Sequence, residues 1–288
     1  MVDRISPLDS PFKLKKIGSL LLNPSCPLGE GCYGKVYRGH VEDNPLELVA
    51  IKQISLEISP AEKDKLDTNI ENEISVMEKL KHENIIQFKG LRCTKNNVYI
   101  ITEYCPDGNL ELINSQITTL TQALTCLKQI VDGVLYAHSQ NIIHRDIKPA
   151  NVLLNKGTLK ICDFGFAKFV DNLFDYMKMT AKKGTLNYMA PEVFYGEPYN
   201  SKCDVWSVGI LFYELIYKFL PWYGSSVVKL FENIKENEFD LPDINNVDDD
   251  VKDLLRKMLT VDPEKRLDLE GIIQHKVFKK KIPKTLIL

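Results

Sequence analysis

No two cysteines in this sequence stand in a C-x-x-C pair, and the seven present, at positions 26, 32, 93, 105, 126, 162 and 203, are an odd number. The five histidines are scattered. Neither a disulfide framework nor a zinc site is indicated, and a reducing compartment, cytoplasmic or nuclear, fits the thiols best. An excess of one charge is also missing. The 37 Lys and Arg nearly balance the 39 Asp and Glu, giving a net charge of −2. That leaves no electrostatic footprint for nucleic acid or an anionic membrane. The short runs Asp248-Asp249-Asp250 and Lys279-Lys280-Lys281 read as solvated faces. Met1-Val2-Asp3-Arg4 lacks the basic and apolar regions of a signal peptide. No clear membrane span is visible, because the strongest apolar segment, 205–222, carries Glu214 and Lys218 and reads as a buried helix. There is no internal repeat or low-complexity tract. What is present is the composition of an ordinary globular protein, 44% hydrophobic and 26% charged, over 288 residues. That length has room for roughly two domains with their own cores.

One polar loop organises the rest. Ile143-His144-Arg145-Asp146-Ile147-Lys148-Pro149-Ala150-Asn151 lies between the apolar flanks Val134-Leu135 and Val152-Leu153-Leu154. A carboxylate there can accept a proton, a lysine can neutralise phosphate, and a carboxamide can hold a metal. The bland alternative is a polar turn between a helix and a strand, so other stretches must decide.

Residues 1–16, with Pro7 and Pro11, read as a loose lead-in. From Ile17 a strand-like pattern leads to Leu28-Gly29-Glu30-Gly31-Cys32-Tyr33-Gly34-Lys35-Val36. Glycines let a backbone approach phosphate closely, but a lone G-x-G-x-x-G is weak. A dinucleotide-binding turn would open a helix at the third glycine. Here Val36-Tyr37-Arg38-Gly39-His40 continues as a strand, so the loop joins two strands of a hairpin and would cover a nucleotide from above. In the next strand, 48–52, alternation puts Val49 and Ile51 on one face and Ala50 and Lys52 on the other. A lysine placed inside a domain needs an anionic partner. Ser59-Pro60-Ala61-Glu62 forms a capping box, predicting a helix to about Lys81 with the stripe Leu66, Ile70, Ile74, Met77 and Leu80. Glu73 lies beside that stripe and can reach Lys52, whereas Glu71 and Glu78 project elsewhere. Strands over 85–93 and 97–104 follow, and Cys105-Pro106-Asp107-Gly108 marks a domain junction.

Leu124, Leu127, Ile130, Val131, Val134 and Leu135 predict an apolar helix leading into the polar loop. Beyond it, Val152-Leu153-Leu154 and Leu159-Lys160-Ile161 read as short strands across Lys156-Gly157. The second strand delivers Cys162-Asp163-Phe164-Gly165. Asp163, with Asn151, offers hard oxygen ligands suited to Mg²⁺.

With the glycine loop, Val49-Ala50-Ile51-Lys52, Glu73, His144-Arg145-Asp146 and Asp163-Phe164-Gly165 in this order, the chain resembles the eukaryotic protein kinase family over about residues 17–278. The resemblance implies an α+β, bilobal fold. Its parts would be a lead-in at 1–16, a small antiparallel-sheet lobe with one key helix at 17–104, a larger, mainly helical lobe at 105–279 and a short tail at 280–288. It further implies that Leu28, Gly29, Gly31 and Gly34 cover ATP. Val36, Ala50 and Leu153 would sandwich the adenine beside Thr102, Glu103 and Cys105. Lys52, paired with Glu73, would hold the α- and β-phosphates, and Asn151 and Asp163 would bind Mg²⁺. Asp146 would accept the substrate hydroxyl's proton and Lys148 would stabilise the transferring phosphoryl group. Met77, Phe88, His144 and Phe164 match a packed column. Glu192, in Ala190-Pro191-Glu192, should pair with Arg266, and Asp204 should hold the backbone of the polar loop.

Lys148, two residues after Asp146, is the serine/threonine pattern. Phe166, just after Asp163-Phe164-Gly165, matches a position that the resembled family associates with serine over threonine. Asn109 and Ala150 stand where arginine-requiring relatives often carry acids, so no strong basic requirement is expected. Arg145 and Lys168 are expected to receive an activation-segment phosphate, with Thr180 the favoured site and Tyr176 and Thr185 also available. Asp163-Phe164-Gly165-Phe166-Ala167-Lys168 and Tyr188-Met189-Ala190-Pro191-Glu192 look most like the autophagy-initiating branch, with calcium-dependent and cell-cycle-associated kinases as neighbours. The expected partners are protein substrates and separate regulatory subunits, with no nucleic acid and no membrane span. The alternative is a pseudokinase or scaffold that binds partners through the same fold.

Overall fold

The computed structural model describes residues 14–31, 34–57, 60–166, 185–236, 238–243, 247–279 and 281–288. Two compact units result, one formed by Met1–Lys63 with Phe88–Tyr104 and the other by Asp64–Gln87 with Cys105–Leu288.

The smaller unit is a six-stranded sheet in the order β1-β2-β3-β4-β6-β5. Its strands are β1 (Lys15–Ile17), β2 (Leu20–Gly31), β3 (Gly34–Val41), β4 (Asn44–Ser55), β5 (Phe88–Cys93) and β6 (Asn97–Glu103). All neighbours run antiparallel. β1 is an addition to the expected set, since Lys15 and Lys16 were read as part of the polar lead-in. Alternation assigns the core. Leu20, Leu22, Val49, Ile51, Tyr99 and Ile101 are buried together on one face, so Ala50 and Lys52 point to the other face, as the period-two pattern requires.

The larger unit begins within α1 (Pro60–Lys79). Ile70, Glu73, Val76, Met77 and Leu80 are buried, spaced three or four apart, while Glu71 and Glu78 are exposed. The helix ends two residues earlier than its apolar pattern suggested. Val76 replaces Ile74 on the most buried line, and Glu73 lies on the stripe itself. Val76, Leu80 and Ile85 join the main core of this unit, which is why most of α1 belongs with it. Residues 85–87 are not part of β5. Ile85 instead bridges in parallel to Ile161, and the Ile86 N–H donates to the Ile161 carbonyl at 2.9 Å.

α2 (Leu110–Ile113) is capped by Asn109, and α3 (Leu120–Ser139) opens with a capping box of Thr119 and Gln122. Leu124, Leu127, Ile130, Val131 and Val134 are buried, as their spacing predicts, while Leu135 packs at the edge of the core. The hairpin of β7 (Val152–Asn155) and β8 (Thr158–Ile161) follows. α4 (Pro191–Phe194) and α5 (Lys202–Tyr217) come next, and then α6 (Val227–Glu236), α7 (Asp249–Met258) and α8 (Leu269–Gln274). Apart from its first residue and Glu214, α5 is buried along its whole length. A helix apolar on every side belongs inside a unit, which agrees with its reading as a core segment. None of the described helices is long and apolar enough to cross a membrane. The six described cysteines other than Cys32 are free thiols.

Candidate active site

In the smaller unit, strand register brings the expected nucleotide-binding residues onto one face. Val36 stands opposite Lys52, and Ala50 opposite Thr102. Opposite partners in an antiparallel pair project to the same side, so Val36, Ala50, Lys52 and Thr102 share the face away from the core. Gly29 and Gly31 pair with Val36 and Gly34 across the β2–β3 hairpin. A Cβ added at Gly34 would lie 2.0 Å from the Gln53 carbonyl oxygen, and the residue has φ +159°. Glycine is therefore needed there for backbone packing. At Gly29 an added Cβ would meet nothing within 4 Å, so its surroundings leave room for a ligand. Leu28 is exposed, and Glu103 ends β6. Cys32 and Tyr33 at the hairpin tip lie outside the described residues.

In the larger unit, the polar loop turns around Asp146. Lys148 Nζ donates to Asp146 Oδ2 at 2.8 Å, and Asn151 Nδ2 donates to the same oxygen at 2.8 Å and to the Asp146 carbonyl at 2.9 Å. Asp146 Oδ1 is buried and has no hydrogen-bond partner among the described residues. Burial raises the carboxyl above the usual carboxylate range, and the Lys148 ammonium offsets part of that rise. The result is a carboxylate held by two donors on one oxygen, with the other buried and without a hydrogen-bond partner among the described residues.

His144 has both ring nitrogens engaged. Its Nδ1 accepts from the Asp146 N–H at 3.2 Å, so Nε2 carries the proton that reaches the Cys162 carbonyl at 3.1 Å. Its ring meets Phe164 edge-on with centroids 4.7 Å apart. It is a packed support, as the sequence reading proposed. Arg145 is left-handed, with φ 69°, a conformation that surrounding contacts must hold in place. The holding group is Asp204, in the first turn of α5, which accepts from the backbone N–H groups of His144 and Arg145 at 2.8 Å each. Its Oδ2 also lies 2.8 Å from His138 Nε2. Burial alone would raise Asp204, but His138 and the His144 ring and N–H together hold it below the usual range. Sequence reasoning found Asp204 and missed His138. The available signal was a histidine in the last turn of the helix feeding the loop, where the helix dipole favours a cation.

Asn151 and Asp163 flank the open end of the β7–β8 hairpin. The Cys162 N–H donates to the Asn151 carbonyl at 2.9 Å, and Asp163 follows at once with φ 64°. Because Asn151 turns its NH₂ toward Asp146, its carboxamide oxygen is the atom left for a cation. A carboxamide and a carboxylate oxygen suit Mg²⁺ shared with phosphates. Among the described residues no cluster of three His, Cys, Asp or Glu could hold a metal by itself. Leu153 lies in β7, half-buried and bridged to Asn109, and Cys105 is the first residue of the larger unit after Tyr104.

Behind the loop, Arg266 Nη1 and Nη2 meet Glu192 Oε1 and Oε2 at 2.6 and 2.9 Å. Both side chains are buried, so the predicted pair forms. Tyr188 donates to Glu214 at 2.6 Å, and its carbonyl accepts from Ser207 at 2.8 Å. Together these bonds seat the turn Thr185–Tyr188 on α5. Lys168, Tyr176 and Thr180 lie outside the described residues, as do the side chains of Phe166 and Thr185. The Arg145 guanidinium lies 5.2 Å from the Tyr199 ring centroid, a neighbour with no motif to announce it.

Comparison with known proteins agrees with this arrangement. The protein kinase domain family matches residues 23–278. A probable serine/threonine-protein kinase, CCRP1 of Zea mays, is 39% identical over 267 residues, covering 90% of this chain and 42% of the relative. Aurora kinase C of Mus musculus is 32% identical, covering 86% of this chain and 88% of the relative. Serine/threonine-protein kinase STK11 of Gallus gallus is 34% identical, covering 93% and 62%. The chain thus spans less than half of the first of these relatives and most of the second. These names come from different branches and do not single out the autophagy-initiating one. By the match across most of its length, the chain belongs to the protein kinase domain family.

Proposed function

We propose that this chain is an ATP-dependent protein serine/threonine kinase. The observation that carries the reading is the Asp146 cage, in which Lys148 and Asn151 hold one carboxylate oxygen while the other is buried and ready to accept a proton. In the reaction, the substrate hydroxyl oxygen forms a bond to the γ-phosphorus. The bond from that phosphorus to the β–γ bridging oxygen breaks, ADP leaves, and the hydroxyl proton passes to Asp146. Asn151 and Asp163 would hold Mg²⁺, which supplies charge neutralisation of the phosphates. Lys52 would bind the α- and β-phosphates with Glu73 as its counter-ion, and Lys148 would balance charge at the transferred group. Little covalent chemistry is required of the protein, so positioning and fixed charge supply the rate.

Control by phosphorylation at Thr180 is part of the same reading. Its support is Arg145, a cation within the loop. Mass spectrometry of fully active protein with no phosphate on the activation segment would overturn it. Protein substrates, regulatory subunits and a reducing compartment are proposed on the same footing, and with Asn109 and Ala150 in place of acids no strong basic motif is expected around the phosphoacceptor. The test is transfer of labelled γ-phosphate from Mg·ATP to serine and threonine peptides, with Asp146→Asn as control. Transfer to serine or threonine, abolished in the variant, is expected. Nucleotide binding without transfer would favour the scaffold reading.

A further inference from the structure

Gln129 is a polar residue in the middle of the most apolar stretch of α3, and it is buried, at 5% exposure. Its side chain is used at both ends. Oε1 accepts from the Leu159 N–H at 2.6 Å and from Asn84 Nδ2 at 3.1 Å. Nε2 donates to the Gly157 carbonyl at 3.1 Å and to the Lys284 carbonyl at 2.8 Å. Leu159 is in β8, and Gly157 is in the tight turn of the β7–β8 hairpin, so one carboxamide grips the closed end of the hairpin on two of its backbone groups.

Residues 282–288 complete the grip. The Leu286 N–H donates to the Gly157 carbonyl at 2.8 Å, and Gln122 Nε2 donates to the Ile287 carbonyl at 2.7 Å. Leu286 is buried in the main core, whereas Ile287 is exposed. The fit leaves no slack at the turn: Gly157 has φ +81°, and an added Cβ would lie 2.4 Å from Thr285 and 2.6 Å from the Leu286 carbonyl.

The open end of the same hairpin carries Asn151 and Asp163, tied together through the Cys162 N–H. Four residues of strand separate the turn from those side chains, a lever of about 13 Å at the usual rise per residue. A tilt of a few degrees at the turn therefore displaces both oxygen ligands by about 1 Å. Metal–ligand distances hold to within about 0.2 Å, so a displacement of that size weakens the hold on the cation.

We propose that Gln129 and the segment Lys284-Thr285-Leu286 form a positioning unit for the β7–β8 hairpin, which sets how tightly Asn151 and Asp163 hold the divalent cation. This inference rests on the kinase reading for the roles of Asn151 and Asp163. The variants to use are Gln129→Leu, which removes the grip, Leu286→Ala, which loosens the strap, and deletion of 282–288. The probe is Mn²⁺ binding with a non-hydrolysable ATP analogue, followed by electron paramagnetic resonance, alongside the Mg²⁺ dependence of peptide phosphorylation. Each variant is expected to bind Mn²⁺ about 10-fold more weakly, with a higher Mg²⁺ requirement and a maximal rate close to wild type. A synthetic peptide of residues 281–288 should restore affinity to the deleted protein at a temperature where that protein is already fully folded, so that the rescue reports on the hairpin and not on overall stability. Unchanged Mn²⁺ affinity in folded variants would overturn the proposal. Failure of the wild-type protein to bind Mn²⁺ with the nucleotide would instead count against the kinase reading itself.

Discussion

Asp204 accepts the backbone N–H of Arg145 on one carboxylate oxygen and that of His144 on the other, each at 2.8 Å. Two consecutive amides of the 143–151 loop thus hang from one buried side chain on α5. Hydrogen bonds to a buried charge are worth about 1.5–3 kcal/mol each. Asp204→Ala is expected to lower the unfolding temperature and to cut kcat by about 100-fold through misplacement of Asp146. Parallel thermal unfolding and steady-state kinetics check both. A fall in stability with kcat intact would mean that the loop keeps its shape without this support.

The same residue gives a pH signature. The folded-state pKa of Asp204 lies below its unfolded value. Its stabilisation is therefore present above the unfolded pKa, about 3.9, and is lost as pH falls through the folded value. The gap in unfolding temperature between wild type and Asp204→Asn should stay constant near neutrality and close only below about pH 4.

Asp146 behaves in the opposite sense. Its folded pKa is raised by burial, so the folded state favours the protonated carboxyl. That preference aids folding fully below the unfolded pKa and is lost as pH rises through the folded value. At pH 7 the ionised group is a liability to stability, a cost that the proposed role as base would explain. Asp146→Asn should abolish transfer and unfold at the same temperature as wild type or higher at neutral pH, with any advantage fading on acidification. Calorimetry across pH 3–8 would decide it, and a marked destabilisation at pH 7 would count against the assignment.

Lys148 lowers the Asp146 pKa against that burial. With Asp146 in the proposed role of base, activity requires it ionised and is lost as pH falls through its pKa. In the residual activity of Lys148→Met, the acid limb of kcat/KM should move to higher pH, and in Lys148→Arg it should stay closer to wild type. A limb at the same pH in all three proteins would remove Asp146 from the role of base.

Arg266 has an acceptor for every N–H: Glu192 for two, and the carbonyls of Thr260, Val261 and Lys202 for the others. Loss of one partner of a buried pair costs about 3–5 kcal/mol. Glu192→Ala and Arg266→Ala should each destabilise by that amount in denaturant titrations. Arg266→Lys should rescue little, because an ammonium cannot satisfy a planar fork of five donors.

Much of this was legible because the residues concerned obey strong local rules. Strand alternation placed Ala50 and Lys52 on one face, and apolar spacing placed α3 and the buried α5. A polar loop between apolar flanks exposed Asp146, Lys148 and Asn151. Besides His138 and Tyr199, three features escaped for physical reasons. Lys15 and Lys16 look like lead-in because an edge strand needs no apolar face. Ile85 looks like the start of β5 because an apolar residue does not name its partner, and its backbone pairs with β8 instead. Gln129 interrupts the buried stripe of α3, and one polar residue in such a stripe shows its use only when the backbone groups that meet it are known.

The ion pair of Arg266 and Glu192 also has an optical consequence. The chain has two tryptophans. Trp206 stacks on Trp222 with ring centroids 5.4 Å apart, and the Arg266 guanidinium lies 5.0 Å from the Trp206 ring centroid. Both fluorophores therefore report from one spot in the larger unit, next to the pair that anchors α4. Emission excited at the red edge should follow the integrity of that anchor and stay silent when the β-sheet unit alone loosens. A spectral change that precedes loss of activity would locate the first event of unfolding at that anchor.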